Sequence, residues 1–170
     1  MSVPIDRSAA VVLMGVAGSG KSTLGALLAA RLGMRFVDGD DLHPQKNRRK
    51  LAAGLPLDDA DRAPWLDVIA QVLSQGMVVV ACSALRRRYR ERLRAAAPQL
   101  RLVYLCGTRE ILAARLAQRT HEFMPAGLLD SQLATLEPPD AAEAALVLNV
   151  ERPLAELLDV AAAALRPASR

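Results

Sequence analysis

Five short apolar runs punctuate the chain: Ala10 to Val16, Met34 to Val37, Met77 to Cys82, Leu100 to Cys106 and Ala145 to Val150. Between them lie longer stretches in which apolar residues return every three or four positions, as from Thr23 to Leu32, the spacing of one helix face. Runs such as Val78-Val79-Val80-Ala81 and Leu102-Val103-Tyr104-Leu105 are apolar without alternation, as strands are when helices cover both faces of their sheet. Strand alternating with helix therefore predicts a doubly wound, three-layer α/β fold around a five-stranded parallel sheet. Ligands of such sheets sit beyond the carboxyl ends of the strands, so chemistry is expected just after each run.

The first run leads into Gly15-Val16-Ala17-Gly18-Ser19-Gly20-Lys21-Ser22, which meets G-x-x-x-x-G-K-[ST] at every fixed position. Strand, glycine loop and helix follow in the order that a P-loop requires. Glycines leave no Cβ between the backbone N–H groups and a phosphate, and the positive end of the next helix adds to the attraction. Gly15 to Ser22, with Thr23, are thus candidate ATP-binding residues. Lys21 is expected to reach the β and γ phosphates, and the Ser22 hydroxyl to ligate Mg²⁺.

The second run ends in Asp38-Gly39-Asp40-Asp41-Leu42-His43-Pro44, carboxylates delivered to the same edge. A structural reading makes Asp38-Gly39 a turn and Asp40 or Asp41 a helix cap. Beside Mg·ATP, one carboxylate (Asp38) can hold a metal-bound water and another (Asp40) can accept the proton of a hydroxyl that receives the phosphoryl group. No acid ends the third run, so Mg²⁺ is expected to rely on Ser22, phosphates and waters, with Asp38 in support.

Gln45 to Gly54 reads as a basic helix, and Asp58 or Asp59 as the cap of the apolar helix that follows. Arg62 and Trp65 read as a substrate wall, with the core as the alternative place for the tryptophan. Ser83 to Arg94 reads as a helix with a basic first turn, a placement that opposes the helix dipole. An anionic ligand would offset that cost, so one of these arginines is expected to face phosphate or a substrate carboxylate and the rest to face solvent. Arg115 and Arg119 are four residues apart, on one face of the helix after the fourth strand, ahead of a hinge or lid segment from Thr120 to Gly127. Arginines beside a lid can meet the γ-phosphoryl charge on closure.

A chain of 170 residues fits one domain spanning 1–170, with the mobile lid around 119–137. The net charge of +4 suits an anionic partner, but the arginines are spread over several segments, with only Arg86-Arg87-Arg88 as a run of three, and 3% aromatic residues offer few platforms for stacked bases. Nucleotide phosphates and an acidic substrate account for the charge as well as nucleic acid does. Cys82 and Cys106 both end apolar runs and read as buried free thiols. The N-terminus shows no basic region followed by a long apolar core, and no apolar stretch reaches the ~18 residues of a membrane span. A soluble cytoplasmic protein with neither membrane nor nucleic-acid partner is expected.

Beyond the P-loop, the chain carries Asp38-Gly39-Asp40 with Leu42-His43-Pro44 and Asn47; Lys50, Gly54, Pro56 and Leu57; and Asp61-Arg62 with Pro64-Trp65-Leu66. It continues with Cys82-Ser83-Ala84-Leu85, Tyr89-Arg90, Phe123, Leu128-Leu129, Ser131-Gln132 and Thr135-Leu136-Glu137. In these blocks it resembles the gluconokinase family, small P-loop kinases that are themselves similar to shikimate and nucleoside-monophosphate kinases. The resemblance implies ATP-dependent phosphorylation of D-gluconate at its terminal hydroxyl to 6-phosphogluconate, by a homodimer. With it go Lys21, Asp40 and Arg119 as catalytic residues, and Asp40, His43, Arg62, Ser83, Arg86 and Arg90 around the substrate. The chain departs from the family in having Arg86 where Lys is common and Glu122 between His121 and Phe123, so His121 receives no role. Alternatives are a kinase for another small hydroxy acid such as shikimate, and a nucleic-acid-binding P-loop ATPase. A regulatory GTPase would need an N-K-x-D, which the chain lacks.

Overall fold

The computed structural model describes residues 9–119 and 126–166. Among these residues five strands, β1 (Ala10–Met14), β2 (Arg35–Asp38), β3 (Val78–Ala81), β4 (Leu100–Cys106) and β5 (Leu146–Asn149), form one sheet in the order β2-β3-β1-β4-β5, with every pairing parallel. The P-loop strand is therefore central, and β3, not β2, is its neighbour on the acidic side. Among the described residues seven helices connect or flank the strands: α1 (Lys21–Leu32), α2 (Gln45–Ala52), α3 (Asp59–Ser74), α4 (Arg87–Ala96), α5 (Arg109–Ala117), α6 (Ala126–Thr135) and α7 (Leu154–Leu165).

Successive strand side chains point to opposite faces, which divides the core in two. Val11, Leu13, Val79, Val103 and Leu105 pack with Leu24 and Leu28 of α1, Leu112 of α5 and Leu157 of α7. Ala10, Val12, Met14, Val78 and Val80 pack with Trp65, Ile69 and Leu73 of α3 and Tyr89 and Leu93 of α4. These are the three layers that unbroken apolar runs imply, and full burial of each such side chain contributes ~1.5–3 kcal/mol.

Of the two aspartates proposed as a helix cap, Asp58 has the role. It accepts from the Asp61 backbone N–H at 2.8 Å while the Asp61 side chain accepts from its own N–H at 3.2 Å. The basic helix does not begin at Ser83: residues 83–86 form a loop and α4 starts at Arg87. Its positive first turn is offset by the protein itself. Glu137 accepts from the Arg87 backbone N–H at 2.8 Å, and Asp140 and Asp59 pair with the side chains of Arg87 and Arg88. Further along α4, Arg92 pairs with Asp67. The helix is thus studded with ion pairs. Both cysteines are free thiols, and burial pushes that of Cys82 up to about 12. Among the described residues no helix is long and apolar enough to cross a membrane.

Candidate active site

The P-loop turns between β1 and α1 at the carboxyl ends of the central strands. Gly18 has φ +82°, and a Cβ there would lie 2.8 Å from the Leu112 carbonyl oxygen, so only glycine permits the loop to close on α5. The loop is tied to its surroundings by Gly15 N–H, which donates to Ser83 O at 3.3 Å, and by Ala17 N–H, which donates to Gln132 Oε1 at 2.7 Å. Lys21 Nζ donates to Val16 O at 3.1 Å. Burial lowers the Lys21 pKa, and the carboxylates of Asp40 and Asp38 oppose that shift.

Asp38 has two tasks. Its Oδ1 accepts from Asp40 N–H at 3.0 Å, capping the turn after β2, and its Oδ2 accepts from Ser22 Oγ at 2.6 Å. Gly39 makes this approach possible, since a Cβ on it would lie 2.5 Å from the Ala81 carbonyl oxygen of β3. No cluster of three or more His, Cys, Asp or Glu able to hold a metal exists among the described residues. A hydroxyl backed by one carboxylate would instead fit a Mg²⁺ that drew its other ligands from phosphates and water. The Ser19 hydroxyl, buried in the loop with no hydrogen-bond partner among the described residues, fits a loop built around a ligand.

A cavity of about 340 Å³ opens beside the loop, lined by Gly18, Gly20, Lys21 and Ser22 on one side and Asp40, His43, Arg62 and Ser83 on the other. Trp65 and Arg119 also line it. Trp65 is 2% exposed, packs within the core and also lines the cavity, with Nε1 donating to Gly39 O at 2.7 Å. His43 stacks on it with ring centroids 4.2 Å apart, and its Nδ1 lies 3.3 Å from Asn47 Nδ2. Burial, assisted by the charges of Arg48 and Arg62, pushes the His43 pKa down to about 4, so the ring is neutral and accepts from Asn47. Asn47 also donates to Asp61 O at 2.8 Å, and the Asp61 carboxylate binds Lys50 at 2.5 Å and Lys46 at 3.0 Å. These lysines hold the Asp61 carboxyl well below the usual range and lock α2 onto α3.

On the other side of the loop a second cavity is lined by Ser19, Thr23, Arg115, Arg119, Arg152 and Leu154, so Arg119 borders both spaces. Arg119 lies just beyond α5, its N–H donating to Leu116 O at 3.2 Å, and not within the helix as expected. Arg115 is anchored by Val150 O.

Two sequence candidates fall elsewhere. Arg90 is 1% exposed and does not line the cavity: Nε and Nη2 bind Glu143 at 2.6 and 2.8 Å, and Nη1 donates to Ala84 O at 2.9 Å. It braces the loop that carries Ser83, with its charge paired to Glu143 rather than offered to a substrate. Arg86 is the N-cap residue of α4, does not line the cavity, and lies near enough to Asp59 to help lower its pKa. Conversely, Arg48 and Gln132 line the cavity although no local pattern marked them as site residues. Residues 120–125 of the proposed lid, including His121 and Glu122, lie outside the described residues; α6 after them is tied to α5 by the Arg109–Asp130 pair at 2.7 Å.

Residues 17–147 match the family described as shikimate kinase. A protein named "Probable gluconokinase" from Mus musculus is 42% identical, the match covering 90% of this chain and 95% of the relative. A "Gluconokinase" from Gluconobacter oxydans is 46% identical, covering 84% and 83%. The chain belongs to the gluconokinase family. A solved gluconokinase structure from Sinorhizobium meliloti superposes on this family member with a TM-score of 0.87 at 46% identity, covering 94% of this chain and 92% of that one. The parallel five-stranded sheet is that of the P-loop kinases, and this gluconokinase-family chain is a kinase.

Proposed function

We propose that this enzyme transfers the γ-phosphoryl group of ATP to the terminal hydroxyl of D-gluconate, giving 6-phospho-D-gluconate and ADP. The observation that carries the reading is one cavity lined both by Lys21 and Ser22 of the P-loop and by Asp40 and Arg62.

In this reading the second cavity takes the nucleoside of ATP, and the loop from Gly15 to Thr23 holds the phosphates through its backbone N–H groups. Lys21 supplies positive charge to the β and γ phosphates, and Arg119, bordering both cavities, meets the charge that develops on the transferred group. Asp40 orients the acceptor hydroxyl and takes its proton. Arg62 receives the acceptor carboxylate, a role for which Arg48 is less suited because its guanidinium is occupied by the backbone carbonyls of His43 and Asp41. His43 and Ser83 complete the acceptor pocket as neutral hydrogen-bonding groups. A bound Mg²⁺ would supply positive charge to offset that of the phosphates. Ser22 is the residue to ligate it and Asp38 the one to hold its water.

The segment 119–137 acts as a lid that brings Arg119 to the reacting group and excludes water. A cytoplasmic homodimer is the assembly that the family resemblance supports. A coupled ADP-release assay across gluconate, other aldonates, shikimate and nucleoside monophosphates tests the reading. Turnover is expected to be fastest with gluconate; none above background with gluconate, alongside turnover of another acceptor, would overturn it.

A further inference from the structure

Arg62 is held in an unusual way. Its Nη1 donates to the Tyr89 hydroxyl at 3.2 Å, and its guanidinium carbon stands 5.4 Å from the centre of the Tyr89 ring. Arg88 lies 5.4 Å from the same centre. The Tyr89 hydroxyl in turn donates to Asp59 Oδ1, while Asp59 Oδ2 binds Arg88. The phenol oxygen therefore accepts from Arg62 and gives its proton to a carboxylate. No carboxylate pairs with Arg62 itself among the described residues.

The chemistry of this order matters. A carboxylate directly on Arg62 would cancel its charge and compete with an anionic acceptor. A phenol placed between them fixes the guanidinium while leaving the charge uncancelled. Donation of the phenol proton to Asp59 also polarises the oxygen and strengthens its acceptance from Arg62. The Asp59 charge is spent on Arg88, which lies outside the cavity lining.

We propose that Tyr89, held by Asp59, is a positioning residue that aims Arg62 at the acceptor's carboxylate and so sets the preference for an acid over a neutral polyol. The proposal rests on the reading that Arg62 meets that carboxylate.

The test uses the full-length enzyme and the variants Tyr89→Phe, Asp59→Ala and Arg62→Ala. Tyr89→Phe keeps the buried ring and its approach to the Arg62 and Arg88 guanidiniums and removes only the hydroxyl. The KM for gluconate is expected to rise roughly tenfold, as for loss of one hydrogen bond to a charged group, with the KM for ATP and the melting temperature unchanged. Calorimetric binding of gluconate is expected to weaken by the same factor while that of its neutral amide, gluconamide, does not. Asp59→Ala should reproduce the effect in part, and Arg62→Ala should exceed it. If Arg62→Ala leaves the preference for gluconate over gluconamide intact, the reading of Arg62 is wrong. If Arg62→Ala abolishes it while Tyr89→Phe and Asp59→Ala behave as wild type, the positioning role alone is wrong. A fall in melting temperature with both KM values raised together would make Tyr89 a packing residue and overturn the proposal.

Discussion

The Ser22 hydroxyl donates to the Asp38 carboxylate at 2.6 Å, tying the first turn of α1 to the end of β2 across the intervening β3. Asp40, two residues on, lines the cavity with Lys21. The two carboxylates thus face different partners, and their variants should separate. Asp38→Asn is expected to raise the Mg²⁺ concentration needed for half-maximal rate, with activity recovered at excess metal. Asp40→Asn should lower kcat by ~10²–10⁴ at any Mg²⁺ concentration and leave ATP affinity within a few-fold. Titrating Mg²⁺ at saturating gluconate in both variants checks the assignment; rescue of Asp40→Asn and not of Asp38→Asn would exchange the roles.

Lys21→Ala should abolish turnover while the thermal melt stays that of the wild type, because burial disfavours the Lys21 charge and the hydrogen bond lost is one to the Val16 carbonyl. Arg119→Ala should lower kcat more than it raises the KM for ATP. An effect confined to that KM would make Arg119 a ground-state nucleotide contact.

Stability should fall in mild acid because of His43. Its pKa in the fold is about 4, below the ordinary 6.5, so its contribution is complete above about pH 6.5 and is lost as pH falls towards 4. The shift corresponds to up to about 3 kcal/mol. His43→Phe, which keeps a ring to stack on Trp65, should flatten the melting temperature between these pH values. A wild-type slope that persists in the variant would place the titration elsewhere.

Glu143→Ala should unfold the enzyme more readily and alter acceptor binding only a few-fold, through the Ser83 loop that Arg90 braces. It leaves the 1%-exposed Arg90 unpaired, and breaking a buried pair costs ~3–5 kcal/mol. A melting temperature lower by roughly 6–15 °C with the KM for gluconate raised by no more than a few-fold is the expected pair. A raised KM with normal stability would return Arg90 to the substrate site.

Much of the site was legible because its signals are local. The P-loop is eight consecutive residues whose glycines and lysine act through their own backbone and neighbours, so their order alone specifies the geometry. The same holds for Asp38-Gly39-Asp40, which caps its own turn, and for Asp58, whose capping partner is three residues away. Strand positions were legible for a related reason: a strand covered on both faces must be apolar throughout.

What the sequence by itself determined is therefore which segments become strands and helices, and which loop holds phosphate. Tertiary structure decided what each charged side chain does, since an arginine's role depends on which carboxylate arrives beside it from a distant segment. Glu143, 53 residues away, took Arg90 out of the site. Tyr89, 27 residues from Arg62, holds that guanidinium without neutralising it. Gln132 reaches the Ala17 amide across 115 residues. The strand order, with β3 set between the P-loop strand and the acidic turn, was decided in the same way. Periodicity records what a residue shares with its own helix or strand, and these contacts join different ones.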